Sequence, residues 1–331
     1  MTSDSMPHRQ IGGLSVSVIG LGCNNFSPSG RVDAAGTRAV IDAALDAGIN
    51  LLDTADTYGG TGGSETLIGE VLRGRRDSVV LATKFGSDMS AAPGYPGGPR
   101  GSREYIRWAV EGSLHRLQTD VIDLYQYHWP DGVTPIAETL GALDELVGEG
   151  KVRFIGCSNV TATALAEAAE VAAHEGLASY VSLQNEYSLL NRALETEVLP
   201  ECDRLGVSVL PYFPLANGLL TGKYRRGEDA PAGTRLAAQS GPLADAPTFA
   251  RLEVLAGYAA ERGLAMTDVA IGALTADPRI ASVIAGATRP EQVLANARAA
   301  RWTPGREDLA ALDEIFPPAA PRAAAPPRSV S

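Results

Sequence analysis

Four side chains with complementary acid–base chemistry follow apolar runs of the sequence. Asp53 ends the run INLLD and Tyr58 comes shortly after it. Lys84 follows SVVLAT, and His128 follows VIDLYQY. A carboxylate, a phenol, an amine and an imidazole that meet at one place can donate a proton to an oxygen on which negative charge develops. This chemistry is required for carbonyl reduction, because hydride addition at carbon leaves an alkoxide.

The residue types also indicate how the work would be divided. A tyrosine ordinarily has a pKa of about 10, a nearby ammonium lowers it, and a carboxylate holds the ammonium in place. We therefore expect Tyr58 to be the acid, Lys84 to lower its pKa and Asp53 to hold Lys84. His128 would bond to the same oxygen or assist the proton relay. Taken singly, each residue also fits a structural role, and their joint placement favours catalysis.

The elements that would position these residues alternate along the chain. Eight near-continuously apolar runs are typical of parallel strands buried on both faces, at 16–21, 49–53, 78–83, 121–127, 152–157, 181–185, 207–212 and 281–285. Segments with helical spacing separate them, at 33–48, 102–118, 135–150, 161–175, 194–206, 247–263 and 290–300. The pattern predicts an α/β fold, the (β/α)8 TIM barrel, whose chemistry lies at the carboxyl ends of the strands.

Several segments depart from the bare repeat. Residues 7–18 are expected to form a β-hairpin that caps the barrel floor, with Gly12-Gly13 at its turn. The connections 86–101 and 217–246 are long and rich in Gly and Pro, which predicts functional loops on the catalytic face. We expect one barrel domain over 1–316, followed by a disordered Pro/Ala-rich tail over 317–331.

Two helices can be predicted in more detail. The segment 33–48 aligns Ala35, Ala39, Ala43 and Ala47 on one stripe, which predicts its buried face, and Gly48 suits the C-terminal cap. Ser102 is expected to cap the helix that follows it.

Composition excludes several classes of protein. The chain is 45% hydrophobic and 20% charged, which is typical of a globular protein. Its net charge of −11 argues against a non-specific nucleic-acid binder. There is no apolar run of ~18 residues and no apolar segment near the N-terminus, so we expect neither a membrane span nor a signal peptide. The sequence also suggests no obligate protein partner, and we expect a cytoplasmic location.

Other cofactor and nucleophile motifs are absent from the sequence. The three cysteines are far apart, with no CxxC pair, and the four histidines show no HExxH spacing, so no metal site is expected. Gly20-Leu21-Gly22 does not continue into the dinucleotide fingerprint GxGxxG. Neither a Walker loop nor the nucleophile elbow GxSxG occurs.

From residue 7 to about residue 316, the sequence resembles the aldo-keto reductase superfamily. The matching segments are DTADTYG at 53–59, ATKF at 82–85, SLHRL at 113–117, DLYQ at 123–126 with His128, GKVR at 150–153, QNEYS at 184–188 and GATRPEQ at 286–292. The likeness is strongest for the branch that includes potassium-channel β subunits and bacterial sugar and aldehyde reductases.

The resemblance implies roles for residues at the matching positions. Tyr58 would be the general acid and base, and Asp53, Lys84 and His128 would complete a catalytic tetrad. The residues implied in cofactor binding are Ser158, Asn159, Gln184, Tyr212, Pro214, Leu215, Gly218, Lys223, Arg235, Gly286, Thr288, Arg289, Gln292 and Asn296. Tyr212 would stack on the nicotinamide ring.

The residues themselves favour NADP(H) over NAD(H). A helix that starts at Pro290 offers an anion-binding N-terminus beside Arg289, and Lys223 and Arg235 add positive charge. A 2′-phosphate needs such cations, whereas the ribose of NAD more often meets a carboxylate. Phe213 and Ala295 depart from the residues usual in the family, which puts the strength of cofactor binding in question.

The substrate is expected to be a small aldehyde or ketone, or an alcohol in the reverse reaction. Asn24, Phe26 and Trp129 are the predicted substrate contacts, with Tyr95 near them. Two other functions stay open. The chain could be a cofactor-sensing regulatory module with slow turnover, or a lyase that uses Lys84 to form a Schiff base.

Overall fold

The computed structural model describes residues 5–238, Leu243 and residues 245–319. The chain begins with a hairpin of two antiparallel strands, β1 (His8–Ile11) and β2 (Leu14–Ser17). Gly12 turns the hairpin at a φ of +56°, a conformation that L side chains rarely adopt. Apolar side chains of the hairpin, such as Ile11 and Val16, pack into the cluster that fills the floor of the main sheet. The predicted hairpin and its position are therefore confirmed.

The main sheet has eight parallel strands, which hydrogen-bond in the order β10-β3-β4-β5-β6-β7-β8-β9. They are β3 (Ile19–Gly22), β4 (Leu51–Asp53), β5 (Val80–Phe85), β6 (Ile122–Tyr127), β7 (Val152–Ser158), β8 (Ser182–Gln184), β9 (Ser208–Val209) and β10 (Val283–Gly286). Three backbone bonds join the ends of the sheet, from Val209 N to Arg279 O at 2.9 Å, from Ala281 N to Val209 O at 3.0 Å and from Ile284 N to Pro211 O at 2.9 Å. The sheet thus closes into the predicted (β/α)8 barrel.

Helices surround the barrel. They are α1 (Ala34–Asp46), α2 (Gly63–Leu72), α3 (Arg103–Leu117), α4 (Ile136–Gly148), α5 (Ala162–Glu175), α6 (Val198–Leu205), α7 (Ala246–Glu261), α8 (Met266–Thr275), α9 (Pro290–Ala299) and α10 (Arg306–Ile315). Short 3-10 helices occur at Arg76–Ser78, Ala193–Glu195, Ala216–Thr221 and Arg235–Ala238. In the described part of the chain, every helix is too short or too polar to pass through a lipid bilayer.

Three helices were not predicted from periodicity. α2 begins within a Gly-rich segment, α8 is apolar on nearly all sides, and α10 is mostly exposed. α8 contacts both β10 and α9 and therefore takes the place of the helix after β9, whereas the predicted α7 packs outside it. Periodicity fails for α8 because a helix buried on most sides has no polar face to reveal its period.

Two further sequence predictions need correction. The run 16–21 is not one strand, because it contains the end of β2 and the start of β3. The alanine stripe is not the buried face of α1: Ala35 and Ala39 are exposed. The helix instead buries Thr37, Val40, Ile41 and Ala44. Burying larger apolar side chains removes more surface from water, which explains the rotation of the helix.

The loops on the carboxyl side of the barrel are long, as predicted. Residues 86–101 contain no helix or strand, and only 3-10 helices interrupt the described part of 217–246. Ser102 caps α3 as expected, since its Oγ accepts a bond from Tyr105 N at 3.4 Å. Most of the predicted tail, residues 320–331, lies outside the described residues.

Candidate active site

A cavity of about 920 Å³ opens at the carboxyl ends of the barrel strands. Asp53, Tyr58 and His128 line it, and the fully buried Lys84 lies behind them. All fourteen residues predicted to bind the cofactor also line this cavity: Ser158, Asn159, Gln184, Tyr212, Pro214, Leu215, Gly218, Lys223, Arg235, Gly286, Thr288, Arg289, Gln292 and Asn296. The fold therefore brings the two predicted sets together.

The centre of the site is a buried ion pair. Lys84 Nζ donates to Asp53 Oδ2 at 2.7 Å and to the carbonyl oxygen of Thr54 at 2.9 Å. The same Nζ lies 5.0 Å from the centroid of the Tyr58 ring. The His128 ring meets the Tyr58 ring edge-on, with 5.7 Å between centroids. The floor of the cavity thus brings together, each beside the next, a carboxylate, an ammonium, a phenol and an imidazole.

Two glutamine amides complete the environment of Asp53. Its Oδ1 accepts bonds from Gln126 Nε2 at 3.1 Å and from Gln184 Nε2 at 2.8 Å. Gln126 is fully buried and lies opposite Lys84 in the register of β5 and β6. From the sequence, Gln126 was noted as part of the segment DLYQ at 123–126, without a role. A polar residue in a buried strand, in register with a buried lysine, is the signal that could have identified it.

The ionisation of Tyr58 differs from the expectation. Burial raises the pKa of the Tyr58 phenol, and this effect outweighs the lowering by Lys84. The predicted net lowering is therefore wrong in sign, because the charged phenolate loses more by desolvation than it gains from the ammonium. The phenol consequently holds its proton at neutral pH.

The charges of Lys84 and His128 follow from their neighbours. Burial alone would lower the pKa of the Lys84 amine, but Asp53 and Tyr58 together raise it above its usual value. Burial, assisted by the Lys84 charge, lowers the pKa of His128 to about 3. At neutral pH the site therefore contains an ammonium and a neutral imidazole.

The nicotinamide side of the predicted cofactor site is held by internal hydrogen bonds. Ser158 Oγ donates to the carbonyl oxygen of Gln184 at 2.6 Å. The Tyr212 hydroxyl donates to Asn159 Oδ1 at 2.8 Å, and Asn159 itself adopts a φ of +58°. These bonds fix the Tyr212 ring and the amide groups at the carboxyl ends of β7 and β8, where they border the cavity.

The other end of the cavity is positively charged. Lys223 and Arg235 line it, and neither forms an ion pair with a carboxylate in the described part of the chain. The Arg235 guanidinium lies 5.0 Å from the centroid of the Phe213 ring, so this departure from the family pattern gives the guanidinium an aromatic support. Gly218 has a φ of +94°, and a Cβ there would come within 2.5 Å of Lys223 Nζ.

The N-terminus of α9 contributes the last part of the cavity wall. Thr288 donates to Gln292 Oε1 from its backbone N at 2.8 Å and from its Oγ1 at 3.1 Å. Arg289, the residue before α9, pairs with Glu291 at 3.6 Å, and both side chains are exposed. Unpaired cations and a helix N-terminus in one cavity fit an anionic ligand such as a dinucleotide. Among the described residues, no group of three or more His, Cys, Asp and Glu side chains could hold a metal ion.

The substrate residues are placed less uniformly. Asn24 and Trp129 line the cavity, and Trp129 stacks against His128 with 5.9 Å between ring centroids. Phe26 is fully buried in the barrel–helix core and does not reach the cavity, so this prediction needs correction. Tyr95 packs against Tyr105 and Trp108 instead. An aromatic residue beside a barrel strand serves the core as readily as the site, and sequence cannot separate these placements.

The structure also adds residues that sequence reasoning missed. Arg31, Ser87 and Asn217 line the cavity from loops on the carboxyl side of the barrel. The only signal for them was the unusual length of two of these loops. Arg31 donates to the carbonyl oxygen of Gly233 and thereby joins the loop after β3 to the loop after β9.

The fold and the site together define the class as a closed (β/α)8 barrel with titratable side chains at the floor of a cation-lined cavity. The Aldo/keto reductase family model matches residues 18–316. The chain therefore belongs to the Aldo/keto reductase family, as its motifs indicated. Membership in this family identifies it as an oxidoreductase that acts on carbonyl compounds, and it indicates a nicotinamide cofactor.

Individual relatives agree with this assignment. The chain is 38% identical to the uncharacterized oxidoreductase YrpG of Bacillus subtilis, over 92% of this chain and 94% of that protein. It is 34% identical to the L-glyceraldehyde 3-phosphate reductase of Escherichia coli O157:H7, over 93% and 92%. A probable voltage-gated potassium channel subunit beta of rice is 32% identical, over 89% and 91%, which confirms the predicted branch.

A solved structure matches the fold along almost the whole chain. The holo form of the aldo-keto reductase AKR11C1 from Bacillus halodurans superposes with a TM-score of 0.78 at 33% identity. The match covers 95% of this chain and 97% of that one.

Proposed function

We propose that the chain catalyses NADPH-dependent reduction of an aldehyde or ketone to the alcohol, with Tyr58 as general acid and base. One observation carries the proposal. The buried Lys84–Asp53 pair, closed at 2.7 Å, lies directly behind the Tyr58 phenol on the floor of a cavity with cationic walls. This arrangement supports a role for Tyr58 as proton donor beside the space that a cofactor and a small carbonyl compound would share.

The residues of the tetrad would act as follows. A nicotinamide cofactor, when bound in the cavity, would supply the hydride for the carbonyl carbon. The Tyr58 phenol, which holds its proton at neutral pH, gives it to the carbonyl oxygen as negative charge grows there. The Lys84 ammonium stabilises the phenolate that remains, and Asp53 holds the ammonium in place. The reverse steps take an alcohol back to the carbonyl compound.

His128 would stabilise the same oxygen without changing its own charge. A pKa of about 3 leaves its imidazole neutral over the physiological range. A neutral imidazole can still donate one hydrogen bond to a developing alkoxide. Two donors, Tyr58 and His128, would therefore converge on one oxygen.

The cofactor would span the cavity from the tetrad to α9. Ser158, Asn159 and Gln184 would bind the carboxamide of the nicotinamide, and Tyr212 would lie against its ring. Pro214, Leu215 and Gly218 would line the pyrophosphate, with Lys223 and Arg235 supplying charge. Gly286, Thr288, Arg289, Gln292 and Asn296 would hold the adenosine end. The unpaired cations of the cavity support NADPH over NADH, because a 2′-phosphate adds negative charge.

The substrate would enter beside Trp129 and Asn24. Trp129 is 49% exposed and offers an apolar wall next to His128. Because one relative is named for reducing L-glyceraldehyde 3-phosphate, that compound and unphosphorylated glyceraldehyde form a first pair of substrates to compare.

The test combines cofactor binding with turnover. Fluorescence titration of the purified chain should show saturable NADPH binding that is tighter than NADH binding. The Tyr58→Phe variant should bind NADPH like the wild type and lose about 10²–10⁴-fold in kcat, the usual contribution of a general acid. Near-normal turnover by this variant would show that Tyr58 is not the acid, and failure to bind either nucleotide would overturn the reductase proposal.

The structure disfavours the Schiff-base alternative. A Schiff-base lysine needs a neutral amine that the substrate can reach. Lys84 is fully buried and is held as an ammonium by Asp53. The regulatory alternative is supported by the name of the rice relative, a probable potassium channel subunit beta. Because all four residues of the tetrad are present, we expect such a module to turn over substrate as well.

A further inference from the structure

The second ring nitrogen of His128 has a specific partner. Ser87 Oγ lies 2.9 Å from His128 Nδ1, and Ser87 borders the cavity. Ser87 lies two residues after β5, and its position in the sequence predicts no role for it. The contact matters because the proposed function uses a neutral imidazole. Such a ring carries one N–H, on either Nδ1 or Nε2, and the partner of one nitrogen decides what the other presents.

The backbone holds Ser87 firmly in this position. Its carbonyl oxygen accepts a bond of 2.9 Å from the hydroxyl of Tyr105, which is fully buried. Gly86 precedes it with a φ of +99°, and a Cβ there would come within 2.7 Å of the Tyr127 ring. This backbone position therefore needs glycine, and the turn at Gly86 places the Ser87 hydroxyl next to the imidazole of His128.

The imidazole is held from its other sides. The backbone N of His128 donates to the carbonyl oxygen of Phe85 at 2.8 Å. The carbonyl oxygen of His128 accepts a bond of 3.0 Å from Asn159 Nδ2. Trp129 and Tyr58 contact the ring. The backbone and ring contacts restrict rotation of the ring, so the Ser87 bond has a fixed direction.

We propose that Ser87 is a positioning residue, whose hydroxyl donates to Nδ1 of His128 and so keeps the ring proton on Nε2, which donates to the substrate oxygen. The proposal rests on the proposed function for the identity of that oxygen. With the opposite tautomer, Nδ1–H would donate to Ser87 Oγ, and the lone pair of Nε2 would face a developing alkoxide. That arrangement repels negative charge and removes one of the two donors.

A serine suits this task better than a carboxylate does. A carboxylate on Nδ1 accepts a proton, which selects the tautomer with hydrogen on Nδ1 and favours the imidazolium. A hydroxyl can donate without changing the charge of the ring. In the described part of the chain, the charged groups that act on His128 reduce to the Lys84 ammonium, which also favours the neutral ring.

The first measurement reads the tautomer directly. Long-range ¹H–¹⁵N spectra of the full chain at pH 7 should show His128 protonated on Nε2, with its signals assigned by their loss in His128→Gln. In Ser87→Ala we expect a mixture of the two tautomers, whereas Ser87→Thr should keep the wild-type pattern. Ser87→Asp should move the proton to Nδ1. A wild-type spectrum with hydrogen on Nδ1 would overturn the proposal.

The second measurement follows turnover. Relative to wild type, kcat should fall about 10-fold in Ser87→Ala, with the Kd for NADPH unchanged, and about 100-fold or more in Ser87→Asp. Ser87→Thr should retain kcat within about two-fold. If Ser87 only supports its loop, Ser87→Ala would lower the melting temperature but leave tautomer and kcat as they are, which contradicts the proposal. Absence of carbonyl reduction in the wild type would refute the proposed function alone, since the spectra still report the tautomer.

Discussion

Replacing Lys84 by methionine separates what the buried ion pair does for stability from what it does for chemistry. Lys84 is 0% exposed and Asp53 is 2% exposed, and their atoms meet at 2.7 Å. The methionine fills similar volume but removes the ammonium. Asp53 then keeps two amide donors, from Gln126 and Gln184, but loses its counter-charge.

The magnitude follows from the burial of this pair. Removing one partner of a buried ion pair costs about 3–5 kcal/mol, because the remaining charge is uncompensated. At about 2 °C for each kcal/mol in a chain of this size, we expect the melting temperature to fall by about 6–10 °C. The kcat should fall by about 10²–10⁴-fold, since the phenolate of Tyr58 loses the charge that stabilises it.

The matched double variant completes the experiment. Asp53→Asn combined with Lys84→Met removes both charges, while the Asn side chain can still accept the bonds from Gln126 and Gln184. The free energy of unfolding should return to within about 1–2 kcal/mol of wild type. The kcat should stay as low as in the single variant. Calorimetry gives the first quantity and steady-state kinetics with NADPH and an aldehyde give the second.

Two results would refute this reasoning. If Lys84→Met melts at the wild-type temperature, Asp53 is not an uncompensated charge in that variant, and the pair does not hold the site together. If the double variant regains turnover, the ammonium is not needed to stabilise the Tyr58 phenolate. The first result would remove the proposed contribution of the ion pair to stability, and the second would remove the proposed role of Lys84 in catalysis.

Three further predictions concern the surroundings of the site. Burial raises the pKa of Asp56, so the folded chain binds more protons there than the unfolded chain does, and stability is lost as pH rises from about 4 towards the folded pKa. Asp56→Asn should therefore be more stable than wild type in urea at pH 8. A stability advantage of this variant that does not shrink at pH 4 would contradict this. Arg31→Ala breaks the bond to the Gly233 carbonyl oxygen across the cavity, so the rate of NADPH release, measured by stopped flow, should rise by about 3- to 10-fold. An unchanged rate would show that this contact does not retain the cofactor. Glu291→Gln removes the exposed carboxylate that pairs with Arg289, so NADPH should bind about two- to five-fold more tightly while the Kd for NADH stays unchanged. An equal change in both Kd values would place Arg289 away from the 2′-phosphate.

The barrel could be predicted because most of its strands have a recognisable local residue pattern. Parallel strands covered by helices need apolar side chains on both faces, and runs such as VIDLYQY at 121–127 have them. Helices with one wet face, such as α3, show their period. α8 could not be read in this way, since it is buried on most sides, and α2 begins in a segment whose glycines indicate a loop.

The members of the candidate site could also be predicted, because parallel strands of one barrel end at the same rim. Asp53 and Lys84 lie at the carboxyl ends of β4 and β5, and His128 follows β6, so the fold alone brings them near one another. Phe26 failed because an aromatic residue near a strand end suits both core and cavity. Packing places it in the core, where it is fully buried.

The barrel, the residue types at its rim and the cations of the cavity could be predicted from the sequence, because the alternation of apolar runs and helical segments is a local pattern. The ionisation and orientation of these groups, in contrast, depend on burial and contacts that arise in the folded barrel. The sign of the pKa shift of Tyr58 depends on its depth of burial, which no spacing reveals. The bonds from Gln126 to Asp53 and between Ser87 and His128 join residues distant in the chain, and such contacts exist only once the barrel has closed.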